Sequence, residues 1–136
     1  MISAVHHCCV TVSDIDRSLT FYRGILGLQL LFTGESSDDA KGVRIKNAML
    51  QAGDDKIELM QYVCPKGRPY DLQAHDVGST HIAFRVTDID RVYLELKRKC
   101  VRFMTSPNEY RKGPVTSWWC KFFDPDGVIL ELIEEK

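Results

Sequence analysis

His81-Ile82-Ala83-Phe84-Arg85-Val86-Thr87-Asp88-Ile89-Asp90-Arg91 decides the architecture, because residues 7 to 17, His7-Cys8-Cys9-Val10-Thr11-Val12-Ser13-Asp14-Ile15-Asp16-Arg17, are a worn copy of it. His, Val, Asp, Ile, Asp and Arg recur 74 positions apart, and Ile57-Glu58-Leu59 resembles Leu130-Glu131-Leu132 at a spacing of 73. A fixed period of this length marks an internal duplication in which each half repeats one supersecondary unit. Each copy opens on a His and closes near a Glu.

Outward from the repeats, the first copy reads as βαβββ. Residues 5–12 suit a strand with His7, Cys9 and Thr11 on one face and Cys8, Val10 and Val12 on the other. Ser13-x-x-Asp16 has the form of a capping box, and Ile15, Leu19, Tyr22 and Leu26 follow at helical spacing until Gly27 stops the helix. Strands are expected at 28–33, 43–50 and 56–63, with a polar loop at Ser36-Ser37-Asp38-Asp39 and a turn at Gly53-Asp54-Asp55. Residues 64–79 hold two prolines, two glycines and no apolar period, and read as a linker in which His75 is solvent-facing.

The second copy repeats the order. A strand over 80–86 sets Ile82, Phe84 and Val86 against a helix and leaves His81, Ala83 and Arg85 on the other face. Thr87-x-x-Asp90 caps a helix whose buried stripe is Ile89, Tyr93, Leu96 and Cys100. A short strand at 101–104, a loop at 106–114, a strand at 117–123, a turn at Asp124-Pro125-Asp126-Gly127 and a strand at 128–133 complete it. The expected fold is α+β: one domain over 1–136, made of module 1–63, linker 64–79 and module 80–136. Trp118 and Trp119 alternate faces, so at most one can stack on a planar ligand.

Composition narrows the classes. A chain of 136 residues, 44% hydrophobic and 27% charged, can bury a core as one domain. A net charge of -1 with no basic run excludes an electrostatic case for nucleic acid, and no apolar run is long enough for a membrane span. The first motif begins almost at Met1, which leaves no room for a signal peptide and makes the cytoplasm the expected location. Five cysteines without C-x-x-C spacing point to neither a disulfide framework nor a thiolate zinc site, and read as small buried hydrophobes. The Glu134-Glu135-Lys136 end reads as solvated.

In all four flanking strands the face lacking the His or Glu is mostly apolar and should meet the helices. His7, Glu58, His81 and Glu131 therefore share the opposite, concave face. Two carboxylates in a partly dry cavity repel unless a cation lies between them. Two neutral imidazoles and two carboxylates make a neutral N/O donor set for one divalent ion, with two octahedral positions left for substrate or water. His6 has the wrong strand parity to join them.

Val12-Ser13-Asp14-Ile15-Asp16-Arg17-Ser18 with Phe21-Tyr22, Leu26-Gly27-Leu28, His81-Ile82-Ala83-Phe84, and Asp124-Pro125-Asp126-Gly127 with Glu131-Leu132-Ile133-Glu134 resemble the vicinal oxygen chelate superfamily, the glyoxalase, bleomycin-resistance and dihydroxybiphenyl dioxygenase group. The resemblance implies paired βαβββ modules with curved mixed sheets, a homodimer, and one divalent metal ion (Ni, Co, Zn, Mn or Fe) on His7, Glu58, His81 and Glu131. The ligand pattern is most like that of bacterial glyoxalase I. It implies a lyase or isomerase that moves a proton beside a chelated carbonyl of a substrate with vicinal oxygens, Glu58 and Glu131 doubling as bases. Acyl-CoA epimerases of the family are similar but often carry an amide where Glu58 stands.

Family glyoxalases hold glutathione with an Arg and an Asn at the positions of Thr11 and Tyr62, and neither residue here replaces a guanidinium. Arg85, the repeat-equivalent of Thr11, is the candidate for an anionic substrate group or for a structural salt bridge. Ring-cleaving dioxygenases and fosfomycin-modifying enzymes of the family use two His and one Glu. Metal-free, bleomycin-binding members need no such set. Cys100 stands where the family usually has Gly.

Overall fold

The computed structural model describes residues 1–136. It contains β1 (Cys8–Thr11), α1 (Ile15–Leu19) continuing as a π-helix over Thr20–Ile25, β2 (Gln29–Asp38), β3 (Val43–Ala52), β4 (Asp55–Cys64), β5 (Ile82–Arg85), α2 (Ile89–Arg98), β6 (Asn108–Lys112), β7 (Val115–Phe123) and β8 (Ile129–Glu135). The chain divides into two compact units, Met1–Pro69 and Tyr70–Lys136. Each is βαβββ, with sheet order β1-β4-β3-β2 in the first and β5-β8-β7-β6 in the second. The first strand of each unit pairs in parallel with the last, and the other pairings are antiparallel. Two tandem βαβββ modules with mixed sheets, the α+β fold read from the duplication, are what the chain forms.

In the first unit the apolar face of the sheet receives the helix. Val10, Val12, Ile57, Leu59, Ala48 and Leu50 are all buried. The helix corrects its 3.6-residue reading: Leu26 N–H donates to the Phe21 carbonyl, five residues back. This wider turn brings both Phe21 and Tyr22 inside, whereas the α-helical stripe held Tyr22 alone. Gly27 ends the helix at φ 80, a conformation that costs a residue without Cβ little.

In the second unit Phe122, Leu130, Cys120 and Leu132 are buried on the helix side of β7 and β8. Phe103 lies between Tyr93 of α2 and Phe122, with ring centroids 4.6 and 5.4 Å away. The strand expected at 101–104 is only an isolated bridge, Phe103 to Phe122, because its backbone meets β7 over a single pair. Residues 106–114, read as a loop, contain β6, which forms a hairpin with β7 across Gly113. Polarity concealed it, since every residue of this outermost strand is exposed. Ser36-Ser37-Asp38 likewise continue β2 in register with β3 instead of forming a loop.

Both helix starts fall one residue later than the Ser13 and Thr87 boxes suggest. Asp14 and Asp88 are the N-caps, accepting from Arg17 N–H at 3.0 Å and Arg91 N–H at 3.1 Å. A carboxylate at N-cap satisfies an orphan donor and complements the helix dipole. A second acceptor comes from the last strand of each unit: Gln61 Oε1 takes Ile15 N–H at 2.9 Å, and Glu134 takes Asp88 N–H at 3.0 Å and Ile89 N–H at 3.1 Å. Gln61 and Glu134 are 73 positions apart, so this tie was duplicated with the rest.

Glu134 is therefore not part of a solvated tail. It is buried, and the two backbone donors, helped by Lys136, hold its carboxyl below the usual glutamate range. A depressed folded pKa gives stability that is present above the unfolded value and lost as pH falls through the folded one. Glu134→Gln should lower Tm by about 5 °C at pH 7. The gap to wild type should close as both are melted at pH values falling below the ordinary glutamate range; a gap that persists at pH 2 would remove the charge from the explanation.

Four of the five cysteines depart from the buried reading. Only Cys120 is buried, while Cys8, Cys9, Cys64 and Cys100 are exposed. Cys8 and Cys9 lie on edge strand β1, Cys64 ends β4, and Cys100 follows α2 at φ 62, a left-handed position that favours Gly. Cys100 therefore leaves the helical stripe, of which Ile89 and Leu96 are the buried members. No helix is long and apolar enough to cross a membrane.

Candidate functional site

Strand register brings each His to its Glu. In the first unit Cys9 pairs with Glu58 across β1 and β4, which lets His7, just before β1, lean toward the carboxylate: Nε2 stands 3.6 Å from Glu58 Oε2. In the second, Ala83 pairs with Glu131 across β5 and β8, and His81 Nε2 stands 3.4 Å from Glu131 Oε2. The carboxylates are mostly covered, with side chains 12% and 13% exposed, and the imidazoles are more open, at 36% and 43%. No group of three or more His, Cys, Asp and Glu suited to a metal occurs within either unit.

These separations suit shared ligation. Two donors each about 2.0–2.2 Å from one ion stand roughly 3–3.5 Å apart, a span the His81–Glu131 pair meets and the His7–Glu58 pair slightly exceeds. Imidazole and carboxylate are also the N/O donors a borderline divalent ion accepts. His6, excluded by parity, takes another part: its Nδ1 shares a 2.8 Å hydrogen bond with His7 Nδ1. Where His7 is the donor of that bond, its Nε2 keeps the lone pair a metal ion needs.

The candidate substrate contacts divide. Thr11 and Tyr62 belong to the strand face that carries Glu58, Thr11 being paired in register with Met60 and Tyr62 with Ile45. Arg85 is highly exposed, and its Nη2 lies 3.8 Å from Glu135 Oε2. His75 is exposed in the segment between β4 and β5.

Sequence reasoning offered Trp119 only as one of two possible stacking residues and did not single out Lys121. Lys121 is the direct cross-strand partner of Glu131, and Trp119 that of Ile133. Counting alternate residues along β7 from the partner of Glu131 would have found both. Trp118 belongs to the opposite face, as the alternation requires.

The two cysteine neighbours of the acids are poor nucleophiles. Burial, then Glu131 and Asp90, push the Cys120 thiol up to about 12, against a hydrogen bond from the Leu132 backbone. Burial and then Glu58 raise Cys9. Iodoacetamide at pH 8 should label Cys8, Cys64 and Cys100 in the native chain, Cys9 slowly, and Cys120 only after denaturation. Peptide mapping reads the order, and early modification of Cys120 would contradict it.

Comparison with known proteins agrees with this architecture. A 2-epi-5-epi-valiolone epimerase from an Actinomyces species is 31% identical, over 96% of this chain and 78% of its own. A lactoylglutathione lyase from Neisseria meningitidis is 27% identical, over 96% of this chain and 89% of its own. The crystal structure of a glyoxalase family protein from Bacillus cereus superposes with a TM-score of 0.83 at 19% identity, over 99% of this chain and 95% of its own, a likeness of fold. The model of the Glyoxalase/Bleomycin resistance protein/Dioxygenase superfamily matches residues 4–132, and with its two βαβββ units the chain belongs to that superfamily.

Proposed function

We propose that the chain is a metal-dependent enzyme moving a proton on a carbon beside a carbonyl, a lyase or isomerase of the glyoxalase I kind. His7, Glu58, His81 and Glu131 are its metal donors, one divalent ion per site. The observation that carries this reading is one arrangement occurring twice: an imidazole Nε2 within 3.6 Å of a covered carboxylate in each unit, at repeat-equivalent positions.

When bound, the ion supplies Lewis acidity to vicinal substrate oxygens and so eases loss of the neighbouring proton. The chain's own part is proton transfer. A carboxylate oxygen of Glu58 or Glu131 takes the proton from carbon, holds it out of bulk water, and returns it to the same or the adjacent carbon. The relatives named as a lyase and an epimerase both fit this step. Thr11 and Tyr62 offer hydroxyls where glutathione would want a guanidinium and an amide, and Arg85 faces Glu135, which favours a substrate other than a glutathione adduct.

The epimerase is the second reading, favoured by the more similar relative and by two acids of equal burial. Inversion needs an acid and a base on opposite sides of one carbon. The test is proton NMR in deuterated water of metal-loaded protein with a set of α-hydroxy ketones, and with 2-oxoaldehydes plus glutathione. Deuterium entering the carbon beside the carbonyl of at least one compound is expected. Metal-loaded protein that exchanges none of them contradicts the proposal.

A further inference from the structure

Directly opposite the acids the two units differ in character. Opposite Glu58 the first unit has Met49, buried; opposite Glu131 the second has Lys121. Lys121 Nζ is held 5.7 Å from the centre of the Trp119 ring. Together with Ile133, Tyr110 and Lys112 these residues line an open cavity of about 380 Å³ that includes Glu131. That volume lies within the range of small-molecule sites, roughly 300–1,000 Å³.

We infer that this cavity takes an anion with a flat apolar body, its carboxylate or phosphate at Lys121 and its plane against Trp119 and Ile133. The inference rests on the reading of Glu131 as a site residue and names the class of substrate for it. Charge gives the sign: two ammonium groups line the cavity against one carboxylate, and that carboxylate is turned to His81 at 3.4 Å. Composition gives the shape, since an indole, a phenol and an isoleucine offer flat or apolar surface and the lysines give charge at its edge. The duplicated partner supplies the contrast. Where the first unit keeps a buried thioether, the second has a cation.

The experiment uses 4-nitrobenzoate and its neutral twin, 4-nitrobenzamide, titrated into the full chain with tryptophan quenching and calorimetry as readouts. Benzoate should bind at least about tenfold more tightly than the amide, the effect of one charge-assisted contact. Lys121→Met, which installs the residue the first unit carries, should remove that preference and leave the amide unchanged. Trp119→Phe should abolish most of the quench, and Trp118→Phe should retain it. Equal affinities in wild type, an unchanged preference in Lys121→Met, or a quench carried by Trp118 overturns the inference. Metal content of the same preparations is read separately. Anion preference in protein that takes no metal would sink the metal reading alone, and metal-binding protein without anion preference would sink this one alone.

Discussion

Glu131→Gln should slow deuterium exchange by about 10²–10⁴-fold, the range for losing a positioned general base. Glutamine keeps the side chain's length and one oxygen donor but cannot accept a proton from carbon. A further tenfold loss of metal affinity is tolerable at saturating ion, so the exchange must be measured with occupancy confirmed. Glu58→Gln separates the two readings of function. An enzyme returning the proton to one face needs one base, and Glu58→Gln should then exchange at a near-normal rate. An epimerase needs both, so each variant should lose inversion, whichever single face still exchanges. Full activity of both variants would remove the carboxylates from the chemistry.

Phe122→Ala is expected to cost about 3–5 kcal/mol of stability, the usual penalty for emptying a buried aromatic site. Phe122 is 0% exposed and stands at the one bridge tying Phe103 to β7. Its loss would also leave the Phe103 and Tyr93 rings without a backing. Urea denaturation should show a lower midpoint at unchanged slope. A change below about 1 kcal/mol would mean that the site collapses around the cavity, or that the cluster is not part of the cooperative core.

The duplication made the architecture legible because a repeat constrains every element twice. That each His shares a face with the Glu of its own unit was readable for the same reason: strand parity assigns a face, and parity survives small errors in strand ends. The errors cluster where local polarity and tertiary packing disagree. β6 is polar along its whole length yet pairs with β7, since backbone hydrogen bonds form a strand without an apolar face. Glu134 looked like a frayed end because its partners, the amides of Asp88 and Ile89, are 46 and 45 residues away. Ser13 and Thr87 looked like caps, but an Asp stands next in both copies, and a carboxylate serves the helix dipole better than a hydroxyl. The cysteines were weighed by residue type, and type says little about a strand edge or a helix end.

The most direct test of the metal proposal is elemental analysis of the purified chain after saturation with Ni, Co, Zn, Mn or Fe and removal of loose ion. Wild type should hold one divalent ion per chain, and His7→Ala and His81→Ala, each folded by circular dichroism, should each hold less than about a tenth of that. Wild type that keeps none of the five metals, or variants that keep a full complement, would contradict it.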